Sequence, residues 1–222
     1  MMTIGLKKTT KKRIIVNVFF ALFCAGSLFA QSSLENICAK LASHPNTTGD
    51  FIQIKTLQTN GRKLTSNGKF IFCPEGILWK TEKPFPSSLI LTKEAMIQIA
   101  ANGKKSVMNG KDNQIFTNIS ETLSSVFSGN ADALKKNFEC TFSEKNGEWK
   151  IYLSPKDSTI ASVMKTLVLT GIIEEAGKDN AAASLSSLEM TEMSENTIRY
   201  EFSNQIYPKE LSPDEKQNFV IE

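Results

Sequence analysis

The chain has 222 residues, 41% of them hydrophobic and 9% aromatic, which is enough for one sizeable core. Five of its 26 basic residues and none of its 23 acidic ones fall in residues 1–30, leaving 21 against 23 and a charge of −2 beyond them. This removes the electrostatic case for a nucleic-acid partner, and cysteines without Cys-x-x-Cys spacing beside a lone histidine exclude a recognisable zinc motif or disulfide-built scaffold.

Lys7, Lys8, Lys11, Lys12 and Arg13 precede an apolar run from Ile14 to Phe29, and Ala30 supplies a small residue before Gln31. This is the pattern of a secretory leader cut after Ala30, with the chain delivered to the periplasm. A membrane anchor would need a slightly longer run. A lipid-modified Cys24 would need a small residue where Phe23 stands. Residues 31–222 are then read as a single domain. Of its cysteines, Cys38, Cys73 and Cys140, at most two can pair, and buried free thiols are the simpler expectation.

Ser32 and Glu35 read as a capping box opening a helix, in which Leu34, Ile37, Cys38 and Leu41 share a face before Pro45 ends it. From Gly49 the period falls to two. Asp50–Leu57 predicts a strand, Asn60-Gly61 a hairpin turn, and Leu64–Phe72 a second strand. Around Pro74-Glu75-Gly76 the alternation pairs Phe70 with Phe72 on one strand and Ile77 with Trp79 on the next. Further strands are predicted at Ser88–Leu91, Met96–Ala100 and Lys105–Met108.

A helical stretch follows, with Ile119, Leu123, Val126 and Phe127 on one face and Gly129 as its C-cap. Asn130 caps a second helix, with Leu134 and Phe138 four apart. Strands return at Cys140–Ser143 and Trp149–Leu153 across Asn146-Gly147, then at Thr166–Leu169, Ser186–Met193 and Thr197–Phe202 after a short helix at Ile160. The polar stretch Glu174–Ala183 reads as a loop. Some ten antiparallel strands with amphipathic helices describe a mainly β, α+β fold: a curved, incompletely closed barrel, since a flat sandwich leaves the helices nothing to cover.

Catalytic chemistry finds little support. His44 precedes Pro45 at a helix end and reads as a solvated loop residue. No nucleophile elbow, phosphate-binding glycine loop or metal-ligand spacing accompanies it. No catalytic residue, metal or cofactor is assigned. The dominant feature is aromatic: Phe51, Phe70, Phe72 and Phe85 cluster with Trp79, and alternation on strands favours core for such residues.

Phe51-Ile-Gln53, Asn67-Gly68-Lys-Phe70-x-Phe72, Pro74-Glu-Gly-Ile-Leu-Trp79 and Lys83-Pro84 resemble the opening of the periplasmic lipoprotein carrier family LolA. Phe127-Ser-Gly129-Asn, Trp149-x-x-x-Leu153-x-Pro155-Lys156-Asp157 and Phe202-Ser-Asn204 continue the resemblance. It implies an unclosed antiparallel half-barrel whose concave apolar side is covered by helices. It implies a monomeric carrier, not an enzyme, that takes acylated lipoprotein or a related lipid from an inner-membrane exporter to an outer-membrane acceptor. A glycolipid cargo, or an envelope sensor or protein-interaction module, is the alternative. Trp79 matches a cavity-lining tryptophan, and Phe51, Phe70 and Phe72 match positions on the first strands. Alternation adds Ile77, Leu89, Leu91, Ile97 and Ile99 to the lipid-binding wall, and helical spacing assigns Leu34, Ile37, Leu41, Leu123 and Phe127 to the lid helices. Where the resemblance implies an arginine before the proline, a residue that helps control lid closure, this chain has Cys73.

Overall fold

The computed structural model describes residues 33–109, 121–122, 124–174 and 182–220; the expected leader, its expected cut after Ala30, and Leu123 lie outside them. The period-two segments form β1 (Thr47–Thr56), β2 (Lys63–Cys73), β3 (Gly76–Lys83), β4 (Ser87–Thr92), β5 (Ala95–Ile99) and β6 (Lys105–Asn109). Later come β7 (Phe138–Lys145), β8 (Glu148–Pro155), β9 (Met164–Ile173), β10 (Ala183–Glu192) and β11 (Thr197–Ile206). Helices are α1 (Leu34–Leu41), α2 (121–122 and 124–127), α3 (Ala131–Asn137), α4 (Ser158–Ala161) and α5 (Pro213–Gln217).

All eleven strands join one antiparallel sheet in the order β6-β5-β4-β3-β2-β1-β11-β10-β9-β8-β7. The first and last strands of the chain meet in its middle, Phe51 opposite Phe202, while β6 and β7 remain as edges. The sheet is therefore not closed into a barrel. It nevertheless curls, because Trp79 and Leu89 from one wing share a cavity wall with Phe138 and Met164 from the other.

Local chemistry explains the boundaries. The N-cap of α1 is Ser33, whose hydroxyl accepts from the Asn36 amide at 3.2 Å, so the cap falls one residue later than the Ser32 box suggests. Gly129 takes φ +76° after α2, and the Asn130 amide donates back to the Ser125 carbonyl at 2.9 Å. The Asn130 side chain then accepts from the Ala133 amide and opens α3. Phe138, expected on that helix, begins β7 instead. Between β9 and β10, Gly171 is required by space: a Cβ there would lie 1.9 Å from the Ser184 carbonyl and 2.4 Å from the Trp149 ring.

The two faces of the sheet carry separate cores. The inner face holds the main one, in which α1 and α3 bury Leu34, Ile37, Cys38, Leu41 and Leu134 against the strands. On the outer face, Ile71, Leu78, Ile90 and Ile97 are covered by Leu211 and Phe219 on either side of α5, a C-terminal strap that no sequence pattern announced. Asn46 fastens the approach to this strap by donating to the Lys209 carbonyl at 2.9 Å.

Each end of the sheet is a rim of loops. At one end lie the β1–β2 hairpin, the β3–β4 loop with Phe85, the β5–β6 turn and the β10–β11 hairpin. At the other lie the turns containing Cys73 and Glu94. We call these the Phe85 rim and the Cys73 rim.

Candidate functional site

The inner face is packed unevenly along its length. Toward the Cys73 rim it is filled by aromatic rings. Phe72 lies 4.6 Å from Phe70, 5.5 Å from Phe202 and 4.2 Å from Phe127 of α2, centroid to centroid. Trp149, 1% exposed, packs over Gly171 and donates its indole N–H to the Ile172 carbonyl at 3.2 Å.

Toward the Phe85 rim the same face encloses a cavity of about 200 Å³. Trp79, Leu89 and Leu91 supply the wall from β3 and β4. Leu188, Met190, Ile198 and Tyr200 supply it from β10 and β11; Met164, Leu167, Phe138 and Thr122 complete it. Leu89, Met190 and Ile198 are only partly buried, so the cavity is not sealed from solvent. The wall is almost wholly apolar. Burial pushes the Tyr200 phenol up to about 12, which keeps it uncharged at neutral pH. The buried indole nitrogen of Trp79 has no hydrogen-bond partner among the described residues.

Among the described residues, charge stands at the end of this wall and on the helices above it. Lys55, paired in register with Ile198, donates to Glu192 at 2.7 Å across β11. That hydrogen bond, helped by Asn196 and Ser194, holds the Glu192 carboxyl below its ordinary value against the opposing effect of burial. A second ion pair ties the covering helices together, with Lys135 of α3 donating to Glu35 of α1. Glu35 is held down at about 2, chiefly by that bond.

The residues expected to line a site separate into three places. Trp79, Leu89 and Leu91 are on the cavity wall. Phe51, Phe70, Phe72 and Ile77 are on the same face but buried inside the packed core, with Leu34, Ile37, Leu41 and Phe127 above it. Ile97 and Ile99 belong to the outer face, a correction to the expected wall. The cause is register: Leu91 pairs with Met96 and Ile90 with Ile97, so Ile97 shares the face of Ile90. Leu123 lies outside the described residues.

Most of the wall comes from the C-terminal half of the chain, which sequence reasoning did not single out. Alternation does mark Leu188 with Met190 and Ile198 with Tyr200. What it lacked was the β1–β11 pairing that turns those faces inward.

Cys38, Cys73 and Cys140 are free thiols. Burial raises all three, Cys38 to about 11 and Cys73 to about 12, so none is poised as a thiolate. Cys73 sits beside the outer core, and its thiol donates to the Gly76 carbonyl at 3.4 Å. His44 is not simply solvated: it stacks on Tyr207 at 3.7 Å, with Nε2 3.9 Å from Glu174. Tyr207 in turn donates to Glu174 at 3.1 Å. Among the described residues, no three His, Cys, Asp or Glu side chains gather as a metal site, and no helix is long and apolar enough to cross a membrane.

Solved structures similar to this chain share little sequence with it. A DUF1329 family protein from Desulfovibrio piger is 10% identical, with a TM-score of 0.47 over 81% of this chain and 92% of that one. A LolA superfamily protein from Nitrosomonas europaea is 7% identical, with a TM-score of 0.45 over 86% and 98%. LprF from Mycobacterium bovis is 11% identical, with a TM-score of 0.39 over 82% and 98%. No curated protein matches the sequence. The family model described as outer membrane lipoprotein carrier protein LolA matches residues 43–215, from the loop before β1 into α5. With most of the chain and every strand of the sheet inside that match, this protein belongs to the LolA family.

Proposed function

We propose that this protein is an exported carrier that holds an acyl chain of a lipoprotein or related lipid in its apolar cavity and ferries it through the periplasm. The single observation that supports this reading is an uncharged cavity on the inner face of an unclosed sheet, walled by Trp79, Leu89, Met190, Ile198 and Tyr200. The physical need is large: exposing a sixteen-carbon chain to water costs on the order of 12 kcal/mol at ~0.8 kcal/mol per CH₂. An inner-membrane donor and an outer-membrane acceptor are the partners of such a carrier, which acts as a monomer in a single domain beyond a leader cut after Ala30. The reading is of a binder without catalysis: among the described residues the wall sets the Thr122 and Tyr200 hydroxyls among apolar side chains, and His44 is stacked away on Tyr207.

The cavity is small for its cargo. A dry cavity of about 150 Å³ admits one benzene, so about 200 Å³ falls well short of a sixteen-carbon chain. Loading therefore requires the covering helices to move, and the ring stack of Phe127 on Phe72 and the Glu35–Lys135 pair are the contacts that movement would strain. Without the family's arginine, release would depend on these contacts, because Cys73 lies beside the outer core and offers the lid no charge.

The test is binding of a fluorescent fatty acid or acylated peptide to the folded protein. Saturable binding at one site, lost in Trp79→Asp that still folds, is the expected result. A folded wild type that binds no amphiphile would refute the proposal. A glycolipid cargo would show instead as acyl binding that acylated peptide fails to displace.

A further inference from the structure

The loops of the Phe85 rim differ from the rest of the surface in composition. Arg62, Lys63, Lys83, Lys104 and Lys105 lie on the β1–β2, β3–β4 and β5–β6 connections or at their strand ends, all exposed. None has an ion-pair partner among the described residues. Across 57–64, 81–87 and 99–106 the one acid is Glu82, which acts on Lys69; the fourth connection of this rim, the β10–β11 hairpin, carries Glu192 and Glu195, and these are ion-paired with Lys55 and Lys165. The opposite rim and its strap are mixed and net acidic, with Glu75, Glu94, Glu210, Asp214 and Glu215 beside Lys93, Lys209 and Lys216, the last ion-paired with Glu210. Because the chain beyond residue 30 is net acidic, this basic rim is an arrangement in space and not a reflection of composition.

Phe85 stands in the middle of these loops, 77% exposed between Pro84 and Pro86. Leu64, on the adjoining strand, is 43% exposed. An aromatic ring held out on a proline-flanked loop contributes nothing to the core. Basic side chains around an exposed apolar residue supply the two terms that bind a protein to an anionic bilayer, charge attraction and shallow insertion. The same end of the sheet holds the partly buried cavity wall at Met190 and Ile198.

We propose that the Phe85 rim is a docking surface for an anionic lipid bilayer, with Phe85 inserted among the acyl chains and the five basic residues against the headgroups. Docking this way brings the hollow end of the inner face to the membrane, so a chain passes between bilayer and cavity without crossing bulk water. The inference rests on the carrier reading for its purpose, but its geometry stands apart from the cavity.

The experiment places a reporter at the inserting position. Phe85→Trp, a substitution at an exposed site, is mixed with brominated-lipid vesicles of phosphatidylcholine with phosphatidylglycerol, or of phosphatidylcholine alone. Quenching of the new indole is expected with the anionic vesicles, weakened by salt and by Lys104→Glu with Lys105→Glu at about fivefold in partitioning for each charge removed. An indole that stays in water on both vesicle types, or quenching indifferent to lipid charge and to the lysine changes, overturns the proposal. The first of these would leave the rim to a protein acceptor. Fatty-acid binding, measured on the same double lysine variant, should be unchanged. A protein that docks but binds no fatty acid defeats the carrier reading alone, and one that binds fatty acid but does not dock defeats this inference alone.

Discussion

The two ends of the inner face are built from the same kind of residue and behave as opposites. At the Cys73 end, Phe70, Phe72, Phe202 and Phe127 meet ring against ring, and Trp149 is buried over Gly171. At the Phe85 end, Trp79 and Tyr200 stand among Leu and Met side chains around a hollow. The difference is not hydrophobicity but cover. Among the described residues, α1 and the end of α2 are pressed on the filled end, whereas Thr122 and Phe138 are what reaches the hollow end beyond its strands. One end supplies the stability that lets the other stay empty.

That comparison is broken most directly by damaging the filled end. Phe72→Ala removes a ring with four aromatic neighbours and should cost about 3–5 kcal/mol in urea unfolding. A loss below about 1 kcal/mol would mean that the Cys73 end is itself plastic and part of the cavity.

Filling the hollow end should do the reverse. Met190→Trp puts a bulky ring in place of a flexible chain on the wall shared with Trp79 and Tyr200, and it should lower acyl binding at least about tenfold while leaving the thermal midpoint unchanged or raised. Loss of folding instead would show that the space is needed for packing.

The Lys55–Glu192 pair at the edge of the hollow sets a pH dependence. Because Glu192 titrates lower in the folded state than when unfolded, its contribution is complete above the usual carboxylate range. It is lost as the pH falls through the folded value. Acid titration of wild type against Glu192→Gln should therefore diverge at neutral pH and converge in strong acid. The gap is small, given the partial exposure of both partners. Equal stability at every pH would remove the pair from the account.

The smallest effect belongs to the helix latch. Glu35→Gln breaks an exposed pair, so stability should hardly change while fatty-acid exchange quickens. Stopped-flow exchange no faster than wild type would show that α1 and α3 do not part during loading.

Much of the fold was legible because strand alternation and the Asn-Gly and Pro-Glu-Gly turns are local signals, as at Asn146-Gly147 with both φ values positive. Trp79, Leu89 and Leu91 were reachable from the same alternation. Ile97 was misplaced, since alternation says which residues share a face and not which face turns inward; the register with Ile90 decides that. The C-terminal strap stayed hidden because Leu211 and Phe219 carry no period at all. Met190, Ile198 and Tyr200 became wall residues only through the long-range pairing of β1 with β11.

The central claim is that the hollow end receives an acyl chain, and native mass spectrometry of the purified protein tests it most directly. The account predicts one acyl-bearing molecule co-eluting with each folded chain and none with Met190→Trp. A wild-type protein that is folded yet carries and accepts no amphiphile, or a filled variant that carries as much as wild type, would contradict it.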